Sequence, residues 1–190
     1  MKRTVFLGTP AFAVPSLEAV DRLCDRGALQ LVAVVTQPDR AGDRGRLSVP
    51  AVKARALAFG VPVLQPARLD DAALRELAAH RPELLVWAAY GNRIPRSLLE
   101  SVKGRAVNVH ASLLPRWRGA APIAHAILAG DDETGVTLME GTAGLDEGPI
   151  LARSGPRSAR RSRPAISPGD WRCSAPACWS ASCRATSPAS

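Results

Sequence analysis

The sequence predicts an α/β domain built on an open, mostly parallel sheet with helices on both faces. Two observations carry this. Over residues 1–154, short apolar runs alternate with amphipathic ones, the pattern of strands interleaved with covering helices. One of those runs, Leu84–Ala89, is apolar at every position, as strands buried on both faces are. A chain of 190 residues suffices for one well-cored domain and leaves little for a second.

The elements follow in order. Thr4–Leu7 reads as the first strand, closed by the Gly8-Thr9-Pro10 turn and followed by a helix over Ser16–Arg26. Gln30–Val35 is a second strand, ending in a loop over Thr36–Pro50. A helix at Ala51–Phe59 and a short strand at Val61–Leu64 come next. Asp70 has the right side chain to cap a helix reaching His80, which buries Leu74 and Leu77. After the central strand Leu84–Ala89, a further strand spans Arg105–Val109, a helix Ala121–Ala129, and later strands Val136–Glu140 and Pro149–Arg153.

The net charge of +8 suggests a nucleic-acid partner until its distribution is considered. Residues 156–190 hold six arginines and only one acid, Asp170; without them the chain carries +3, so only local basic clusters count. The same segment has no Leu, Val, Phe, Lys or Glu and no periodicity, and so offers no apolar face to bury. It is expected to be a disordered tail, and its Arg/Ser/Ala/Pro mixture with stray Cys and Trp reads as a G+C-rich gene translated out of frame. Cys173, Cys178 and Cys183 lie in it at spacings that fit no common zinc pattern, with Cys24 in the first helix, so neither a metal site nor a disulfide framework is expected. There is no apolar run of about 18 residues to span a membrane, and Gly8-Thr9-Pro10 interrupts the first one too early for a secretory signal. The expected compartment is the cytoplasm, with no membrane partner, and the expected state a monomer.

The chemistry concentrates after the strand ending at Val109, in Asn108-Val109-His110-Ala111-Ser112. The carboxyl end of such a strand opens into the ligand crevice of an open α/β sheet. Residues two apart on extended chain share a side, so Asn108 and His110 face one pocket. An amide donates to a developing oxyanion, and an imidazole exchanges protons near neutrality. A third partner must hold the ring, and Asp146 stands in a Gly-flanked turn, Gly144-Leu145-Asp146-Glu147-Gly148, able to approach closely. Taken alone, Asn108 and His110 fit a structural role better than a catalytic one. The first turn, Gly8-Thr9-Pro10-Ala11, lacks the GxGxxG pattern, so no nicotinamide cofactor is inferred. His80 and His125 read as surface or helix-packing residues.

The string then continues as Pro115-Arg116-Trp117-Arg118-Gly119-Ala120-Ala121-Pro122-Ile123. The span SLLPRWRGAAPI resembles the signature of 10-formyltetrahydrofolate-dependent formyltransferases, in detail that of the branch acting on methionyl-tRNA. Phe6–Pro10, Thr36-Gln37-Pro38-Asp39-Arg40, Gln65-Pro66 and Ala89-Tyr90-Gly91 match the family in the right order, so the resemblance covers residues 1 to about 154. It implies a Rossmann-like formyltransferase domain over 1–154, with 155–190 a non-homologous tail. It implies catalytic roles for Asn108, His110 and Asp146, the first two stabilising a tetrahedral oxyanion while Asp146 orders a proton-shuttling water. It implies folate contacts from Ser112, Leu113, Leu114 and Pro115, and backbone loops gripping the pterin at Trp87–Gly91, including Ala89 and Tyr90, and at Gly141–Leu145. The formyl donor would be 10-formyltetrahydrofolate, with no metal.

The loop Asp39-Arg40-Ala41-Gly42-Asp43-Arg44-Gly45-Arg46 would be a solvated surface loop in an arbitrary sequence. In the family such a loop enters the acceptor stem of initiator tRNA, which implies that Arg40, Arg44 and Arg46 meet phosphates. Here it is about one residue shorter than usual, and Asp43 offsets part of its charge. Two further readings stand beside formylation of initiator methionyl-tRNA. One is a formyltransferase for a small-molecule amine, whose members lack the TQPDR and PRWRGAAPI strings. The other is an inactive piece of the enzyme, since the family continues with a covering helix, a linker and a small β-barrel where the tail stands. Losing about four large apolar side chains of cover, at roughly 1.5–3 kcal/mol each, would rival a domain's net stability of about 5–15 kcal/mol.

Overall fold

The computed structural model describes residues 1–41, 47–103 and 105–155. Among these the chain runs β1 (Lys2–Gly8), a 3-10 turn (Ala11–Ala13), α1 (Val14–Asp25), β2 (Leu29–Val35), β3 (Arg40–Ala41), β4 (Leu47–Ser48), α2 (Ala51–Ala58), β5 (Val63–Leu64), α3 (Asp71–Ala79), β6 (Leu84–Ala88), α4 (Arg96–Ser101), β7 (Ala106–His110), α5 (Pro122–Leu128), β8 (Val136–Glu140) and β9 (Ile150–Ser154). The expected tail lies outside the described residues from Pro156 onward.

One seven-stranded sheet has the order β5-β2-β1-β6-β7-β8-β9. Its first five strands are parallel, and β8 and β9 run antiparallel to their neighbours. The chain starts in the middle, builds β2 and β5 on one side of β1, and then crosses to β6 on the other. The order therefore reverses between β1 and β6, and the carboxyl ends of these strands form the crevice where open α/β sheets bind ligands. There the loops are tied together: Thr9 Oγ1 donates to the Tyr90 carbonyl at 2.9 Å and accepts from the Gln37 N–H at 3.3 Å.

Strand alternation divides the core in two. Phe6, Val34, Val86, Val109 and Leu138 lie on one face of the sheet with Leu17 and Val20 of α1 and Val52 and Ala56 of α2. Leu7, Val35, Leu85 and Ala106 lie on the other with Leu77 of α3 and Leu98 and Leu99 of α4. Asp70 caps α3 as expected, its carboxylate accepting from the Ala73 N–H at 3.0 Å.

The boundaries moved in places. α1 begins two residues earlier than the periodicity predicts, because Pro15 is well placed in a first turn. β5 is pared to Val63–Leu64, and β6 stops at Ala88 because Ala89 turns to a left-handed backbone, φ 44°. α4, unexpected from the sequence, presents only Leu98 and Leu99 to the core. The expected loop Thr36–Pro50 contains the antiparallel pair of β3 and β4. Cys24 is half-buried on α1, and no helix among the described residues is long and apolar enough to cross a membrane.

Candidate active site

β7 carries the site. Its pairing aligns Asn108 with Trp87 of β6 and with Met139 of β8, so an amide interrupts an otherwise apolar row across the sheet. His110, two residues on, shares that face. The chain leaving β8 folds back over the same face at Gly141, where a Cβ would fall on the Trp87 ring. Only glycine permits that approach, and it delivers Asp146 onto Asn108.

Two donors and the His110 imidazole surround the Asp146 carboxylate. Asn108 Nδ2 donates to Oδ1 at 2.9 Å, the Gly119 N–H donates to Oδ2 at 2.9 Å, and His110 Nδ1 lies 3.4 Å from Oδ2. The His110 and Asp146 side chains are 6% and 9% exposed, so the pair sits where water screens little. The other imidazole nitrogen, Nε2, lies 2.8 Å from the Trp117 carbonyl. Trp117, Gly119, Ala121 and Asp146 all have positive φ, at 60°, 88°, 56° and 51°. Non-glycine residues keep such conformations where the surroundings over-determine them, and they gather at functional sites.

The structure thus brings Asn108, His110 and Asp146 together from β7 and a loop 36 residues further on. Ser112 and Leu114 are buried beside them, Leu113 is half-buried and Pro115 exposed. This segment is fastened to β8: Thr137 Oγ1 donates to the Ser112 carbonyl at 2.7 Å and accepts from the Leu114 N–H at 3.1 Å. In the other predicted loop Trp87 is half-buried, Ala89 and Gly91 exposed, and Tyr90 buried, which pushes its phenol pKa up. Arg40 is exposed on β3, while Arg44 and Arg46 lie outside the described residues. A cavity of about 500 Å³ lies elsewhere, between α3 and α4, bordered by Leu74, Arg75, Pro82 and Leu98. Among the described residues no cluster of three or more His, Cys, Asp or Glu is placed to hold a metal ion.

Sequence reasoning missed Asp131. It accepts two hydrogen bonds from Arg116, Nε at 2.8 Å and Nη2 at 2.6 Å, and one from Trp117 Nε1 at 2.5 Å. The Arg116 hydrogen bonds, with that of Trp117, hold its carboxyl well below the usual range, down to about 2. His125, expected as a surface or helix-packing residue, is exposed and stacks on Trp117 with ring centroids 5.5 Å apart. A lone Asp after a helix gives no signal of its own in a sequence.

Chemically, an amide donor, an imidazole and a carboxylate held on one face suit stabilisation of a tetrahedral oxyanion with proton transfer. The chain is similar to known proteins in sequence and in fold. The chain is 53% identical over 152 residues to a methionyl-tRNA formyltransferase of Halorhodospira halophila, which covers 80% of this chain and 48% of that protein. It is 53% identical over 153 residues to one of Pseudomonas paraeruginosa, with the same coverage. The chain therefore spans about half the length of the curated relatives it matches. In fold it is similar to a phosphoribosylglycinamide formyltransferase from Bacillus halodurans, with a TM-score of 0.68, 23% identity, and 89% of this chain and 82% of that one covered. The profile of the formyl transferase family matches residues 2–158, and the chain belongs to the formyl transferase family.

Proposed function

We propose that this domain transfers the formyl group of 10-formyltetrahydrofolate to the amino group of methionyl-tRNA. The observation that carries the reaction is the convergence of Asn108, His110 and Asp146 on one face of β7. The amine attacks the formyl carbon, and the carbonyl oxygen becomes an oxyanion. Asn108 Nδ2 has a second proton beyond the one given to Asp146, and it donates that proton's hydrogen bond to the oxyanion. Collapse breaks the bond from the formyl carbon to N10, which takes up the proton the amine has lost, with His110 exchanging protons on the way. Ser112–Pro115 and Trp87–Gly91 hold the folate.

The acceptor is supported by the relatives, named methionyl-tRNA formyltransferases at 53% identity, and by the PRWRGAAPI string. Exposed Arg40, with Arg44 and Arg46, meets acceptor-stem phosphates in this reading. The competing reading is a second acceptor, a small-molecule amine such as glycinamide ribonucleotide, whose enzymes lack the TQPDR and PRWRGAAPI strings present here.

The test offers labelled 10-formyltetrahydrofolate with methionyl-tRNA or with glycinamide ribonucleotide. Label is expected in the tRNA alone, and His110→Ala should lower turnover by about 10²–10⁴ while keeping folate affinity. Wild-type turnover in that variant would refute the site, and label in the nucleotide would refute the acceptor.

A further inference from the structure

The Trp117 carbonyl that faces His110 is held by contacts made away from the imidazole. Asp131, three residues past α5, grips Arg116 through two nitrogens and Trp117 through Nε1. The Arg116 guanidinium lies 4.4 Å over the Trp117 ring, His125 stacks on that ring, and Ser112 Oγ donates to the Arg116 carbonyl at 2.6 Å. Trp117 is thus fixed at its indole nitrogen and its ring, with the preceding peptide pinned as well. These contacts hold its backbone at φ 60°.

A carbonyl only accepts, so the 2.8 Å contact requires the proton on His110 Nε2. In the neutral ring Nδ1 is then bare, 3.4 Å from Asp146 Oδ2; once protonated it donates to that carboxylate. We propose that Asp131 is a positioning residue for formyl transfer, acting through the Trp117 carbonyl to keep His110 in the Nε2–H tautomer, so that Nδ1 is the nitrogen that gains and loses the proton. This rests on the reading of His110 as the proton-exchanging group. Asp131 is charged throughout the neutral range, as the hold on Arg116 and Trp117 requires.

Nitrogen-15 NMR of the histidine rings in the full chain tests the tautomer without relying on activity, with His110→Ala assigning the signals among His80, His110 and His125. The neutral wild-type ring is expected as pure Nε2–H. Asp131→Asn should give a mixture of tautomers, and kcat should fall roughly tenfold to hundredfold, by analogy with losing the outer partner of a metal-bound imidazole, with KM for the folate unchanged. Asp131→Glu should restore part of the loss. Trp117→Phe keeps a ring for stacking and removes only the Nε1 donor, so it should shift the tautomer in the same direction, which covers the case of an unfolded Asp131 variant. An Nδ1–H wild-type ring, or one tautomer shared by wild type and both variants, overturns the proposal. A tautomer that responds as expected in a chain that formylates no acceptor would instead overturn the reading of the reaction.

Discussion

Asn108 Nδ2 donates to Asp146 Oδ1 at 2.9 Å, joining the middle of β7 to the turn that links β8 to β9. The bond sets the amide plane, and with it the direction of the second amide proton. Asn108 is therefore aimed before any ligand arrives, the condition under which a donor stabilises developing charge most effectively.

Replacing Asn108 by Ala should reduce kcat by about 10²–10³, the usual cost of losing one oxyanion donor. Folate affinity should be little changed, since the lost interaction strengthens only as charge develops. Single-turnover kinetics at saturating donor separate the two. An unchanged rate would mean that the second proton does not reach the reacting oxygen.

The Asp131 cluster should fail in acid. Hydrogen bonds from Arg116 and Trp117 lower its carboxyl to about 2 in the folded chain, against about 3.9 for a free aspartate. Its contribution is then present above about pH 4 and is lost as pH falls toward 2. A carbon-13 titration of the Asp131 carboxyl should show a midpoint near the lower value. Near-ultraviolet dichroism from Trp117 should weaken over the same window. A midpoint near 4 would show that the cluster does not hold in solution.

At Gly141 the sheet face admits no side chain, because a Cβ would fall on the Trp87 ring. Gly141→Ala is expected to destabilise the fold by about 1–3 kcal/mol, the cost of overpacking. Trp87→Leu in the same chain should recover part of that loss, giving a coupling energy in a double-mutant cycle of denaturant midpoints. Additive effects would mean that the return loop does not rest on the indole.

How much of this was legible beforehand depended on whether a residue's role was written locally. The Asp70 cap and the all-apolar run of β6 are properties of a few neighbouring residues, and both were readable. That Asn108 and His110 share a side was readable from strand alternation, whereas their role and that of Asp146 rested on the resemblance carried by the SLLPRWRGAAPI string. α4 was not, because a six-residue helix buries only Leu98 and Leu99 and has no repeated turn to make a period. The roles of Asp131 and Thr137 were not readable either. Each acts on backbone or side chains 14 to 25 residues away, through contacts that exist only after β7 and β8 pair. Positive φ at Trp117 and Asp146 was equally hidden, since it is imposed by the surroundings rather than chosen by the side chain.

Trp117 stacks on His125 with its ring tilted by only 12°, and Trp87 lies under the loop that carries Asp146. These indoles make the site observable by light. Movement of the cluster that holds Trp117 through Arg116, His125 and Asp131 should change the emission of that indole without unfolding the chain. A ligand that covers Trp87 should shift its emission toward the blue. One tryptophan thus pairs across the sheet with Asn108, and the other presents its carbonyl to His110. With Trp171 and Trp179 replaced, a stopped-flow trace should resolve whether the Trp117 side or the Trp87 side responds first when a ligand enters.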